Sequence, residues 1–189
     1  IARMPVIVSL LRGVNVGGYN QVSMEKLRAL YATLGFEDSR SYIQSGNLVF
    51  WTKKSDLPSL AKTIEQAIEK KFGVRSSVIL RTADEMRDVV AKNPFANRAD
   101  VPPNKLIVTF LASDPGAAAR KTVLAIPADP EEVCAEGREL YIYFPNGMGR
   151  TKLPMARIEK MLGTPGTARN WNSVLKLLAM SEELEQHRG

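Results

Sequence analysis

The sequence predicts an α+β protein: two tandem ferredoxin-like βαββαβ subdomains followed by a C-terminal helix. Three observations lead there. Apolar runs of strand length alternate with capped, amphipathic stretches of helix length. The order read up to Leu80 is β-α-β-β-α-β, and it recurs after residue 105. Between the two runs lies a polar, Pro-rich segment, Ala96–Asn104, with no periodicity of its own. The expected division is residues 4–95 for the first subdomain with an added short helix, 105–180 for the second with the final helix, and 181–189 for a polar tail.

The first strand is Pro5–Leu11, apolar on both faces apart from Ser9, and so expected to be covered on both sides. Ser23 has the character of an N-cap for a helix to Leu34, with Leu27, Leu30, Tyr31 and Leu34 on one stripe and Gly35 as the stop. Ser41–Gln44 and Leu48–Trp51 form a hairpin around Ser45-Gly46-Asn47. Asp56 caps a second helix with a spine of Leu57, Leu60, Ile64, Ile68 and Phe72, ended by Gly73; Ser77–Leu80 is the fourth strand. Thr82-Ala83-Asp84-Glu85 is a capping box opening a short helix that stops at Asn93-Pro94. In the second half, Lys105–Ala112 is a strand and Asp114-Pro115 supplies N-cap and N1 of a helix to about Ala125. Glu132–Ala135 and Glu139–Phe144 pair around Glu136-Gly137, and Pro154–Leu162 is a helix closed by Gly163. Thr164–Arg169 is a candidate last strand. Trp171–Met180 is the final helix, with Trp171, Val174, Leu175 and Leu178 expected to face inward.

Composition narrows the chemistry. The 189 residues include one cysteine, Cys134, and one histidine, His187. A Ser-His-Asp or Cys-His machine and a His-based zinc or iron site are therefore disfavoured. No metal and no cofactor is expected. Cys134 is expected to be a buried, inert thiol, and His187 to lie in the polar tail. A lone cysteine fits a reducing, cytoplasmic setting, and no run of about 18 apolar residues marks a membrane partner. Any proton transfer falls to carboxylates, Lys or Tyr. The formal charge is +6, with fourteen basic against nine acidic residues up to Phe95 and twelve against eleven beyond it. Such an excess favours anionic partners and equally suits a solvated surface.

Four loops concentrate polar and glycine residues. The first, Arg12 to Asn20, carries Arg12, Asn15, Gly17 and Gly18 on an eleven-residue connection between strand and helix, where about 2–6 residues usually suffice. Gly13 and Gly18 have P-loop spacing, but Tyr19-Asn20 stands where Lys-Ser/Thr would bind phosphate and magnesium. Two readings stay open: a ligand-contacting loop, or a structural loop packing the two halves together. The second is Ser45, Gly46 and Asn47, either a hairpin turn or extra polar contacts beside the first loop. The third runs from Tyr143 to Lys152, where Arg150 and Lys152 alternate and suit one shared anion, or a solvated basic loop. The fourth holds Arg169, a buried ion-pair partner or a ligand contact, and Asn170, an N-cap for the helix that Trp171 anchors.

These same residues carry a resemblance. Leu10-Leu11-Arg12-Gly13-Val14-Asn15-Val16-Gly17-Gly18, with Met24 and Leu27 after it, resembles the opening of the uncharacterised bacterial domain-of-unknown-function family 1697. Tyr42–Phe50, Gly149–Leu153 and Thr167–Val174 are similar to its further signatures, so the resemblance spans roughly Met4 to Met180. It implies a pair of ferredoxin-like subdomains and brings no activity with it. Tyr19 stands where the family often has Lys, which argues against a role needing a cation there; Thr151, Ala168 and Ser173 are further departures.

The leading expectation is a cytoplasmic binding module for an anionic or phosphorylated ligand, a nucleotide or nucleic acid among the candidates. The alternatives are an enzyme acting on a small polar metabolite through Arg and Gly-loop amides, with no catalytic residue assigned, and a structural or interaction protein. RNA recognition on an open sheet is disfavoured, because the first strand has no aromatic and no free face.

Overall fold

The computed structural model describes residues 5–188. The fold is α+β, with two four-stranded antiparallel sheets and six α-helices among the described residues. Two compact units emerge: residues up to Arg87 together with Lys176 onward, and Asp88–Leu175. Among the described residues no helix is long and apolar enough to cross a membrane.

The first unit runs β1 (Val6–Leu11), α1 (Met24–Thr33), β2 (Glu37–Tyr42), β3 (Asn47–Trp51), α2 (Leu57–Phe72), β4 (Val78–Thr82) and the start of α3 (Ala83–Ala91). Its sheet order is β2-β3-β1-β4. All six β1 residues are buried, so both faces of this central strand are covered, as its apolar run requires. Helices α1 and α2 pack on the Ile7 and Leu11 face, where Tyr31, Phe36 and Phe50 form the aromatic centre. Tyr31 meets Phe50 edge-on at 5.3 Å between ring centroids, and Phe36 stacks on Phe50 at 4.4 Å. The caps form as the sequence requires. Ser23 accepts from Lys26 N, Asp56 from Ser59 N, and Gly73 closes α2 at φ 67°. Thr82 and Glu85 bond each other's backbone amides at 3.0 and 3.1 Å, a complete capping box.

The second unit holds β5 (Leu106–Leu111), α4 (Ala117–Leu124), β6 (Glu132–Glu136), β7 (Glu139–Tyr143), α5 (Met155–Leu162) and β8 (Gly166–Asn170), with sheet order β6-β7-β5-β8. Its core joins Leu111, Leu140, Ile142 and Phe144 to Val123, Ile158 and Leu162. The last helix, α6, spans Trp171–His187.

Several expectations need correction. Strand β2 starts at Glu37, four residues early, because it is a polar edge strand with no apolar alternation. Its hairpin turn is Ile43–Gly46, with Ile43 at φ 50° and Gly46 at φ 80°, so Asn47 begins β3 instead of ending the turn. Helix α4 starts at Ala117 behind a Gly116 N-cap. Asp114 acts one step earlier, accepting from Gly116 N at 2.7 Å and from Arg120. Cys134 is half-buried on edge strand β6, its thiol pushed up by burial and by the Glu132 and Glu136 carboxylates. Leu175 is 41% exposed; Leu177 takes the inward position on α6. The expected tail is helix through His187, because Ser181 and Leu184 are fully buried in the first unit. Arg188 then pairs with Glu37 and Asp38 and lies 4.2 Å over the Trp51 ring. Arg40–Glu183 and Arg87–Glu182 ion pairs hold the same helix segment.

Candidate functional site

The eleven residues after β1 fold back on themselves. Val16 and Tyr19 form a bridge, Tyr19 N donating to Val16 O at 2.9 Å, with Gly17 and Gly18 between them at φ 56° and 81°. Two consecutive positive φ angles define the tight type I′ turn, for which Gly-Gly is suited. Below the turn, Asn15 and Asn20 sit at φ 55° and 50°, left-handed positions that Asn tolerates better than most residues. Asn15 N donates to Asn20 O at 3.1 Å, and Asn20 Nδ2 to Gly13 O at 3.0 Å.

Asn15 is the staple. Its Oδ1 accepts from Val22 N at 2.7 Å, while Nδ2 donates to Val22 O at 2.9 Å and to Gln44 O at 2.6 Å. The first two bonds close the base of the loop, and the third ties it to the β2–β3 turn. The two sequence motifs therefore meet, as the ligand-contact reading requires of them. They meet through packing as well. A Cβ on Gly46 would lie 2.7 Å from both Leu11 Cβ and Val14 Cγ2, and Leu11 N donates to Gly46 O at 2.9 Å. Asn47 is fully buried; its Nδ2 donates to Tyr42 O and to Ser45 Oγ, closing the turn from inside. At the other end, Arg12 N donates to Ser77 O and Ser76 Oγ donates to Arg12 O. Thus Asn15, Ser45, Gly46 and Asn47 shape and fix the loop. The outward surface belongs to Gly17, Gly18, Val16 at 63% exposure and Tyr19 at 78%, with Ile43 at 53% on the neighbouring turn. Arg12 is half-buried at the loop's base.

In the second unit, Arg150 and Lys152 are both exposed, on and just after a 3-10 turn at Met148–Arg150. Thr151 between them points inward and donates to Glu131 at 2.7 Å. That bond, with backbone donors from Glu131 and Lys152, holds the buried Glu131 carboxyl below its ordinary value. Arg169 lies on β8 only 8% exposed, its guanidinium donating to Thr167 Oγ1 and Ala168 O; burial lowers its pKa to about 10. Arg81 holds the matching position on β4, opposite Val8 as Arg169 is opposite Val108, and donates to Leu80 O. Asn170 caps α6, accepting from Ser173 N at 2.9 Å, and Trp171 is buried behind it. Among the described residues no group of three His, Cys, Asp or Glu side chains is placed to hold a metal ion.

Tyr19, which stands where the family often has Lys, is exposed beside the hairpin tip, and Val-Gly-Gly-Tyr is a two-residue turn signal. The staple was not readable, because its partners lie seven and twenty-nine residues away.

A solved structure of a conserved bacterial protein from Streptococcus pneumoniae matches with a TM-score of 0.69 at 23% identity, covering 94% of this chain and 99% of that one. That likeness speaks for the fold. No curated protein gives a significant match. The family model described as protein of unknown function, DUF1697, matches residues 4–141, which include the stapled loop, the Gly46 turn and β1 to β6. The chain belongs to the DUF1697 family.

Proposed function

We propose that the protein is a binding module for a phosphorylated ligand with a flat ring, the nucleotide unit, free or within a single strand, and that loop 12–23 is its contact surface. The carrying observation is Tyr19, 78% exposed on a backbone fixed by Asn15. A large aromatic on rigid backbone offers a stacking face at little ordering cost. Gly17 and Gly18 leave the backbone approachable beside it, and Arg12 supplies a cation at the base. The +6 charge favours anionic partners.

The sheet order β2-β3-β1-β4, repeated as β6-β7-β5-β8, supports reading each unit as ferredoxin-like. With β1 covered on both faces, recognition uses the loop and not an open sheet. The lone cysteine supports a cytoplasmic setting.

The test is fluorescence anisotropy with labelled ATP and a labelled mixed-sequence single-stranded oligonucleotide, at low and physiological salt. Binding of at least one probe is expected, weakening as salt rises. Tyr19→Ala is expected to weaken it about 5- to 150-fold, the span of one lost stacking contact. Failure of both probes at low salt, or equal binding by Tyr19→Ala, overturns the proposal.

A further inference from the structure

The two sheets match position by position, which lets one unit serve as a template for the other. In the first, Ser9 lies between Leu48 on β3 and Leu80 on β4, and Leu11 lies beside Val78. In the second, Thr109 lies between Leu140 and Ala168, and Leu111 beside Gly166. Leu80 and Val78 are thus replaced by Ala168 and Gly166 at equivalent places. The cover differs too. Over Ser9 the first unit places Tyr31, fully buried, with its hydroxyl 2.8 Å from Ser9 Oγ. Helix α4, Ala-Ala-Ala-Arg-Lys-Thr-Val-Leu, has no tyrosine to offer Thr109.

The result is a recess of about 290 Å³ lined by Thr109, Leu111, Leu140, Gly166 and Ala168 from the sheet. Ile158 and Met155 of α5 form its other wall, with the half-exposed Met148 nearby. Its size is near the lower end of ligand sites, which pair apolar walls with a few polar groups. Thr109 is half-buried, and its hydroxyl has no hydrogen-bond partner among the described residues. The lining is mostly apolar, which disfavours a charged guest.

We infer that this recess binds a small neutral phenol, an aromatic ring carrying one hydroxyl. The guest takes the place in the second unit that the Tyr31 side chain fills in the first. Its ring packs on Leu140, Ala168 and Ile158, and its hydroxyl bonds Thr109 Oγ1. The site is independent of loop 12–23 and of its anionic ligand.

The probe is p-cresol, the tyrosine side chain as a free molecule, followed by methyl chemical-shift titration at Ala168, Leu140 and Ile158. Toluene and p-toluate are the controls. Saturable shifts with p-cresol are expected, and weaker binding of p-toluate. Ala168→Leu transplants Leu80 into the recess; it is expected to raise Tm by filling space and to weaken p-cresol at least 10-fold. Gly166 is the poorer place to fill, since a Cβ there meets Thr109 Cγ2 at 3.0 Å and Phe110 O at 3.2 Å. Thr109→Val keeps the shape and removes the hydroxyl; it is expected to weaken p-cresol about 2- to 10-fold and leave toluene unchanged. No saturable shift, undiminished p-cresol binding in Ala168→Leu, or p-toluate binding as well as p-cresol overturns the inference. Should Ala168→Leu fail to fold, Thr109→Val decides: equal p-cresol affinity in that variant is the overturning result.

Discussion

Replacing Gly46 by Ala should be among the most damaging single-methyl changes in the first unit. Two costs add. The residue sits at φ 80°, where an L side chain is strained by about 1–2 kcal/mol. The new Cβ would lie 2.7 Å from Leu11 Cβ and from Val14 Cγ2, whereas carbon contacts settle at about 3.5–4.0 Å. Neither neighbour can yield easily. Leu11 and Val14 are 1% and 2% exposed, and Leu11 N is bonded to Gly46 O. Overpacking of that kind costs about 1–3 kcal/mol, so the total is about 2–5 kcal/mol against a domain stability of about 5–15. Gly35→Ala separates the two parts: its φ is 84°, but nothing lies within 4 Å of the added Cβ. Urea unfolding of both variants, with slopes compared, gives the numbers. Gly46→Ala should lose about 1–3 kcal/mol more than Gly35→Ala. Equal losses would refute the close approach of the turn to β1, and with it the packing role assigned to Ser45-Gly46-Asn47.

Other perturbations test the same framework. Asn15→Ala removes three hydrogen bonds at the loop base and should cost about 1–3 kcal/mol; a Tm equal to wild type would mean the staple carries no weight. Tyr31→Phe strands the fully buried Ser9 hydroxyl and should cost about 1–3 kcal/mol, whereas Tyr31→Phe with Ser9→Ala should recover part of it in a double-mutant cycle. The Glu131 carboxyl is held below its ordinary value of 4.5 by Thr151, so its stabilisation is fully present above that value and is lost as pH falls towards the folded-state pKa. Thr151→Val should therefore flatten the acid limb of a pH–Tm profile below about pH 4.5 and leave the neutral slope unchanged; an unaltered acid limb would remove Glu131 as a contributor.

Much of the fold was readable because each unit announces itself locally. Ser23, Asp56, Thr82 with Glu85, and Asn170 are caps whose bonds form as their spacing implies. The unread parts depend on distant neighbours. Glu37-Asp38-Ser39-Arg40 has no strand pattern and becomes β2 only because β3 offers an edge; Asp38 at φ 54° and a register shift mark the compromise. Ser181-Glu182-Glu183-Leu184-Glu185 looks like a solvated tail, yet Leu184 is buried and its acidic neighbours find Arg87, Arg40 and, beyond them, a companion pair at Arg188 with Glu37 and Asp38. The candidate site divides the same way. Polar residues in a Gly-rich loop were visible as a cluster, but which of them build the loop and which face outward depends on Val22, Gln44 and Leu11. The recess beside Ala168 was legible only by setting the two halves' strands against each other, where Gly and Ala stand for Val and Leu.

The decisive measurement pairs affinity with stability at one residue. Tyr19→Phe and Tyr19→Ala are compared with wild type for oligonucleotide and ATP affinity and for Tm. A stacking face on a loop stapled elsewhere predicts that Phe keeps the affinity, Ala loses it, and all three melt together. Retained affinity in Tyr19→Ala, or a Tm that falls in step with it, would contradict the account.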